Sequence, residues 1–230
     1  MPVDLVRLPG LARLCELDEA TLRPVVARAL VRVAARGDVI YEQGRRAGAV
    51  HLLVAGRLKI TQITTDGQQV VLRVAHPGDL FGLARPQTSE DYPATARAAV
   101  DSIALSWPVE EWDMILRDNP RFAIFALRAM GRHLDEAHTR LREMATQAAG
   151  QRIAHTVLRL AEHAGRPEAG GIRIDFPVSR QDIAEMTATT LHTVSRTLSA
   201  WEGRGLVRGG RCRLTLVDGP GLRRIADPEM

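Results

Sequence analysis

Cysteine is nearly absent from the 230 residues. Cys15 and Cys212 stand near opposite ends of the chain, so one chain can build neither a disulfide framework nor a cysteine-ligated metal or iron–sulfur site. No apolar run of about 18 residues is available to cross a bilayer, and the opening "MPVDLVRLPG" lacks the apolar core of a signal peptide. The expectation is a cytoplasmic protein with no membrane partner. Aromatic residues make up only 4%, and the basic residues are almost all arginine. Guanidinium forks suit phosphate and guanine edges, but a formal charge of +4 names no partner by itself. Also missing are a Ser/His/Asp constellation, a phosphate-cradling glycine loop and any metal-ligand spacing, so no enzyme and no metal site is expected. What the chain does have is 45% hydrophobic content, enough for a core in each of two modest domains.

Three periodicities follow one another along the chain. From Gly37 to about Val109, short apolar runs are punctuated by glycine, in "AVHLLVAGRLKITQITTDGQQVVLRV" and "HPGDLFG". Leu58, Ile60 and Gln62 fall on one face of a period-two pattern, and Val70, Leu72 and Val74 on another. "TTDGQQ" supplies an Asp-Gly hairpin turn, and the whole reads as an antiparallel barrel or roll. The preceding "LARLCELDEATLRPVVARAL" is helical in pattern and should pack on that roll.

From Pro120 to about Gln147 the spacing changes to three and four. Leu127, Met130, Leu134, Ala137, Leu141 and Met144 form an unbroken heptad seam flanked by Arg128, Arg132, Asp135, Glu136, Arg140, Arg142 and Glu143. A seam this narrow usually meets its equal on a second copy, which makes it a dimerisation helix; the alternative is a helix packed on its own roll.

After Gly150, "QRIAHTVLRLAEHAG" is an amphipathic helix carrying Ile153, Val157, Leu160 and Ala161 on one face. "RPEAGG" reads as a loop and "IRIDFPV" as a short strand. Two helices then flank a tight turn at "TAT": Ser179 caps the first, with Asp182 three residues on, and Leu198 and Trp201 anchor the second from behind. "LVRGGRCRLTLV" reads as a basic hairpin turned at Gly209-Gly210. Helix, turn, helix and wing is the arrangement that lays its second helix in a DNA major groove. The candidate DNA-binding residues are Arg180 and Gln181 at the start of the first helix, and Thr190, His192, Thr193, Ser195 and Arg196 on the second. Hydroxyls allow close approach and bond phosphates or bases, and Arg196 can bond guanine N7 and O6 bidentately. The domain boundaries expected are 1–118 for the roll, 119–149 for the long helix and 150–230 for the DNA-binding part. The fold class is α+β.

On the roll "YEQG…LLVAGRLKI…DGQQVVLRVAHPGDLFG", the helix "NPRFAIFALRAMGRHLDEAHTRL", the hinge "GQRIAHTVLRLAEH" and "VSRQDIAEMTATTLHTVSRTLSAWEGRGLV", the chain resembles the Crp/Fnr superfamily from about Val25 to Val217. The resemblance implies a cyclic-nucleotide-binding-like jelly roll sensing a small effector and a homodimer on palindromic promoter DNA working with RNA polymerase. Cyclic-nucleotide-binding members carry a Gly-Glu pair and an Arg-Ser or Arg-Thr pair. Here Gly82 is followed by Leu83, and Tyr92-Pro93 stands in place of the arginine pair. A buried cyclic phosphate would lack its cation, so cyclic AMP is not expected. The iron–sulfur branch is excluded by its missing cysteines.

"TTLHTVSRTL" is similar to the nitric-oxide-responsive denitrification regulators of the NnrR type, in which histidine replaces a common glutamate. By that resemblance the protein would activate nitrite and nitric oxide reductase genes; the alternative is a Crp/Fnr-type regulator that responds to another small effector or acts without one. Ser195 and Arg196 would keep a TTG-like core, with His192 altering preference at the next inner base pairs. Nitric oxide is most simply sensed by ferrous haem on one histidine; His51, His76, His133 and His138 are candidates, each more readily read as an ordinary polar histidine. The effector pocket is not identifiable from sequence. His155 and His163 look structural.

Overall fold

The computed structural model describes residues 17–83 and 90–228. They divide into two compact units: one holds the residues up to 136 except 69–71, the other those from 137 on with 69–71. Cys15 and residues 84–89 lie outside the described residues.

The first unit begins with helix α1 (Glu19–Ala27), whose N-cap Asp18 accepts from Thr21 N at 2.8 Å. Eight strands follow: β1 (Leu30–Ala34), β2 (Val39–Tyr41), β3 (Ala49–Ala55), β4 (Leu58–Ile63), β5 (Gln69–Ala75), β6 (Leu80–Phe81), β7 (Thr95–Ala98) and β8 (Ser102–Pro108). They form two antiparallel sheets, ordered β1-β8-β3-β6 and β2-β7-β4-β5. Strand β3 is buried along almost its whole length because each of its faces meets a different core. Val50, Leu52 and Val54 join Leu105 and Trp107 of β8 against Val25, Trp112, Ile115, Phe122 and Ala126 of the helices. Leu53 turns the other way, with Leu58, Ile60, Phe81, Ala96 and Ala104 between the sheets. A strand buried on both faces reads as a continuous apolar run, which is why "HLLV" does not alternate. Trp107 also ties α1 to the roll, donating its indole N–H to the Val25 carbonyl at 2.8 Å.

Helices α2 (Val109–Asp118) and α3 (Pro120–Thr146) follow; α3 is the 27-residue helix that the heptad spacing requires. Its seam is largely uncovered: Leu127 is 70% exposed, Leu134 55% and Leu141 67%, with Met130 and Met144 also exposed.

The second unit contains α4 (Ala149–Ala164), β9 (Gly165–Glu168), β10 (Gly171–Ile174), α5 (Arg180–Thr187), α6 (Leu191–Gly203), β11 (Val207–Gly210), β12 (Arg213–Leu216) and α7 (Gly219–Ala226). Its four strands pair antiparallel in the order β11-β12-β10-β9. The stripe Ile153, Val157, Leu160 and Ala161 of α4 is buried as its spacing requires; each large member contributes about 1.5–3 kcal/mol.

Three expectations are corrected. On β5 Val71, Val74 and Ala75 are buried while Leu72 is exposed, so burial does not keep the strict alternation that Val70, Leu72 and Val74 implied. "RPEAGG" is not all loop: Arg166 and Pro167 pair with Arg173 and Ile172, the hairpin turning at Ala169-Gly170. The wing turns at Arg211-Cys212, where Cys212 has φ 54°, whereas Gly209 and Gly210 pair within the ladder. Gly209 serves a close approach instead, since a Cβ there would collide with the Glu202 carboxylate.

Inside the roll, His51 of β3 is 1% exposed. Its ring stacks near Tyr41 and Phe81, and its Nδ1 lies 2.7 Å from Ser106 Oγ. Burial, with Arg32 adding to it, pushes its pKa down to about 4. The unfolded chain therefore binds the proton first. The stability tied to neutral His51 is complete above about pH 6.5 and falls away as pH drops toward 4, by up to about 3 kcal/mol. Urea titrations at pH 7 and pH 4.5 should show a larger acid loss for the wild type than for His51→Asn.

Candidate nucleic-acid interface

Helix α6 begins where α5 is forced to stop. Ser179 caps α5 by accepting from Asp182 N at 3.0 Å, while the Asp182 carboxylate accepts from Ser179 N at 2.7 Å. At its other end Ala188 takes the left-handed conformation, φ 47°, and turns the chain within two residues. Thr190 then caps α6, its hydroxyl accepting from Thr193 N at 3.1 Å. Val194, Leu198 and Trp201 bury the inner stripe of α6. That leaves His192 and Arg196 exposed and Thr193 and Ser195 half-buried on the outer side.

The candidate residues differ in how free they are. Among the described residues Arg196, His192 and Ser195 have no side-chain partner. Thr190 and Thr193 are bonded to one another, Oγ1 to Oγ1, at 2.9 Å, so Thr190 acts first as a cap. Gln181 donates to Glu185 Oε1 at 2.9 Å, one turn along α5. Arg180 is paired with Glu202 of α6, 3.3 Å from Nη2 to Oε1. That carboxylate also lies against Gly209, so one side chain links the start of α5, the end of α6 and the wing.

The wing was read from sequence only as basic. Its arginines divide sharply: Arg208 is held back by Glu168 at 3.1 Å, whereas Arg211 and Arg213 at the tip are exposed and unpartnered among the described residues. Glu168 also accepts from Thr215 Oγ1 at 2.9 Å and pairs with Arg173, contacts that hold its pKa below the usual carboxylate range. Thus an exposed helix face with one free guanidinium and one free imidazole sits in the same compact unit as a hairpin tipped by two more free guanidinium groups. Such a surface can reach base edges with α6 and phosphates with the wing.

The described residues hold no cluster of three or more His, Cys, Asp or Glu side chains able to bind a metal ion. No helix among them is long and apolar enough to cross a membrane.

Comparison with known proteins places both units. Residues 31–119 match the cyclic nucleotide-binding domain and residues 151–225 the Crp-like helix-turn-helix domain. A CRP-like cAMP-activated global transcriptional regulator of Mycobacterium tuberculosis is 26% identical over 197 residues, 83% of this chain and 85% of its own. The nitrogen fixation regulation protein FixK of Azorhizobium caulinodans is 28% identical over 230 residues, 97% of this chain and 91% of its own. Among solved structures, a CRP-family transcriptional regulator from Thermus thermophilus superposes with a TM-score of 0.74 at 26% identity, covering 85% of this chain and 96% of that one. These relatives are transcription regulators, not enzymes. With an effector-binding roll, a Crp-like helix-turn-helix and a long helix between them, the chain belongs to the Crp/Fnr family of DNA-binding transcription regulators.

Proposed function

We propose that the protein is a homodimeric activator that reads palindromic promoter DNA through α6, recruits RNA polymerase there, and responds to nitric oxide rather than to a cyclic nucleotide. The observation carrying the DNA-reading part is the free outer face of α6, Arg196, Ser195 and His192, set behind a capped turn and in the same unit as a basic wing tip. Support for the dimer is the uncovered seam of α3.

Support for an effector other than cyclic AMP comes from Tyr92, which stands where a phosphate-binding arginine pair would be. Its hydroxyl donates to the Ala49 carbonyl at 2.9 Å and accepts from Ala49 N at 3.1 Å, while its ring stacks on Tyr41 at 3.9 Å. The half-buried Arg73 is bonded to Asp79 and to the Leu80 carbonyl. A cyclic phosphate would meet aromatic rings and an arginine already engaged.

The nitric oxide reading rests on the NnrR-like "TTLHTVSRTL". A haem does not fit at His51. That ring is stacked near Tyr41 and Phe81, and its Cδ2 edge lies against Gly82, where a Cβ would come within 2.8 Å. His76 lies half-buried in the turn between β5 and β6, its backbone N–H donating to Asp79. His133 and His138 of α3, half-buried and exposed, are the residues that would hold the haem. Ferrous haem there would supply the coordination position for nitric oxide.

The test is an absorption spectrum of anaerobically purified, haem-reconstituted protein before and after nitric oxide, paired with a gel shift on a palindrome at fixed salt. A spectral change lost in His133→Ala/His138→Ala, together with tighter DNA retention under nitric oxide, is expected. Retention raised by cyclic AMP and indifferent to nitric oxide would contradict the reading.

A further inference from the structure

Only Gln147 and Ala148 separate α3 from α4, yet the joint is braced at two levels. Glu143, in the last turns of α3, is 6% exposed, and its carboxylate takes both terminal nitrogens of Arg159 on α4, Nη2 to Oε2 at 3.0 Å. Arg159 Nη2 also reaches Thr156 Oγ1 at 3.3 Å. Two turns nearer the start of α4, Arg152 donates from Nη1 to the Gln147 carbonyl at 2.7 Å and from Nε to the Thr187 carbonyl at 2.9 Å. Thr187 ends α5 immediately before the left-handed Ala188, so Arg152 bonds both the end of the long helix and the turn that aims α6. Two sets of hydrogen bonds on α4 therefore tie it to α3 on one side and to the turn before the base-reading helix on the other.

The seam residues Leu141 and Met144 occupy the same last turns of α3 as Glu143. In a dimer joined along that seam, the angle at the α3–α4 joint fixes where each copy of α6 lies relative to the two-fold axis. One inserted base pair moves a half-site by about 3.4 Å and turns it by roughly 35°. A joint held by a bidentate pair whose carboxylate is buried resists that displacement, whereas one released from it can follow.

We propose that the Glu143–Arg159 pair is a positioning element that sets the half-site spacing this regulator accepts. The proposal rests on the homodimeric reading above. Removing the arginine leaves a buried carboxylate without its cation, so the last turn of α3 must move off α4 for Glu143 to reach water. Exchanging the two charges keeps the brace.

The test measures fluorescence anisotropy on a series of palindromes whose central spacer runs from three base pairs short of the optimum to three long, with an isolated half-site alongside. Oligomeric state and urea unfolding are recorded for each variant. Wild type should prefer one spacing over its neighbours by about tenfold or more, and Arg159→Ala should bring all spacings within about threefold while leaving half-site affinity unchanged. Glu143→Arg with Arg159→Glu should restore the sharp optimum. Glu143→Gln, the milder break, should broaden the profile in the same direction and replaces Arg159→Ala if that variant does not unfold cooperatively. A dimeric Arg159→Ala or Glu143→Gln with the wild-type optimum overturns the proposal and leaves the dimer reading standing. A monomeric wild type that binds half-site and palindrome equally overturns both.

Discussion

Replacing Arg196 with alanine is expected to lower affinity for the cognate palindrome by about 1–3 kcal/mol per half-site, roughly fivefold to more than a hundredfold for each, and to abolish discrimination at one base pair in each half. The size follows from what Arg196 is free to do. Among the described residues it has no ion pair to give up, and it lies on the exposed side of a helix whose opposite face is locked by Val194, Leu198 and Trp201. A guanidinium fork matches guanine O6 and N7 with two parallel hydrogen bonds, and an ammonium does not reproduce that fork, so Arg196→Lys should recover only part of the loss. Affinity for unrelated DNA should change far less, because that term is carried by phosphate contacts. Fluorescence anisotropy at one fixed salt concentration, on the palindrome and on scrambled duplex, separates the two.

Leu134→Asp combined with Leu141→Asp should turn the protein into a monomer and cost about 10²–10⁴ in affinity for the palindrome. In the dimer the second recognition helix is delivered to its half-site at high effective concentration, and that advantage vanishes when the copies separate. Both leucines are more than half exposed in a single chain, so aspartate there faces water and the fold is left intact. Analytical ultracentrifugation should show the monomer, and affinity for an isolated half-site should stay at the wild-type level. A double variant that remains dimeric would mean the seam is not the interface.

The parts that were legible in the sequence are those governed by local periodicity or capping. The length of α3, the buried stripe of α4, the Ser179–Asp182 cap and the inward Leu198 and Trp201 of α6 all lie within a few residues of their cause. What sequence missed depends on partners distant along the chain. Glu143 was placed on the charged flank of the seam but is buried, because its partner Arg159 lies sixteen residues away on the next helix. Gly209 and Gly210 read as the wing's turn in sequence, yet both pair within the ladder, with Gly209 against the Glu202 carboxylate, and the turn falls at Arg211-Cys212. Arg180 and Gln181 were equivalent candidates in sequence, whereas each is engaged by a different carboxylate, Glu202 and Glu185. His51 was one of four undistinguished histidines in the sequence; only the folding of β3 between two cores buries it beside Ser106.

Selection of binding sites from random duplex DNA tests the central claim most directly, that two copies of α6 read a palindrome. Wild-type protein should enrich two inverted TTG-like half-sites at one fixed spacing, and His192→Glu should keep the TTG-like core while changing the adjacent inner base pairs. Enrichment of no sequence or of a single unpaired half-site would contradict it, and the same inner base pairs from both proteins would contradict the role given to His192.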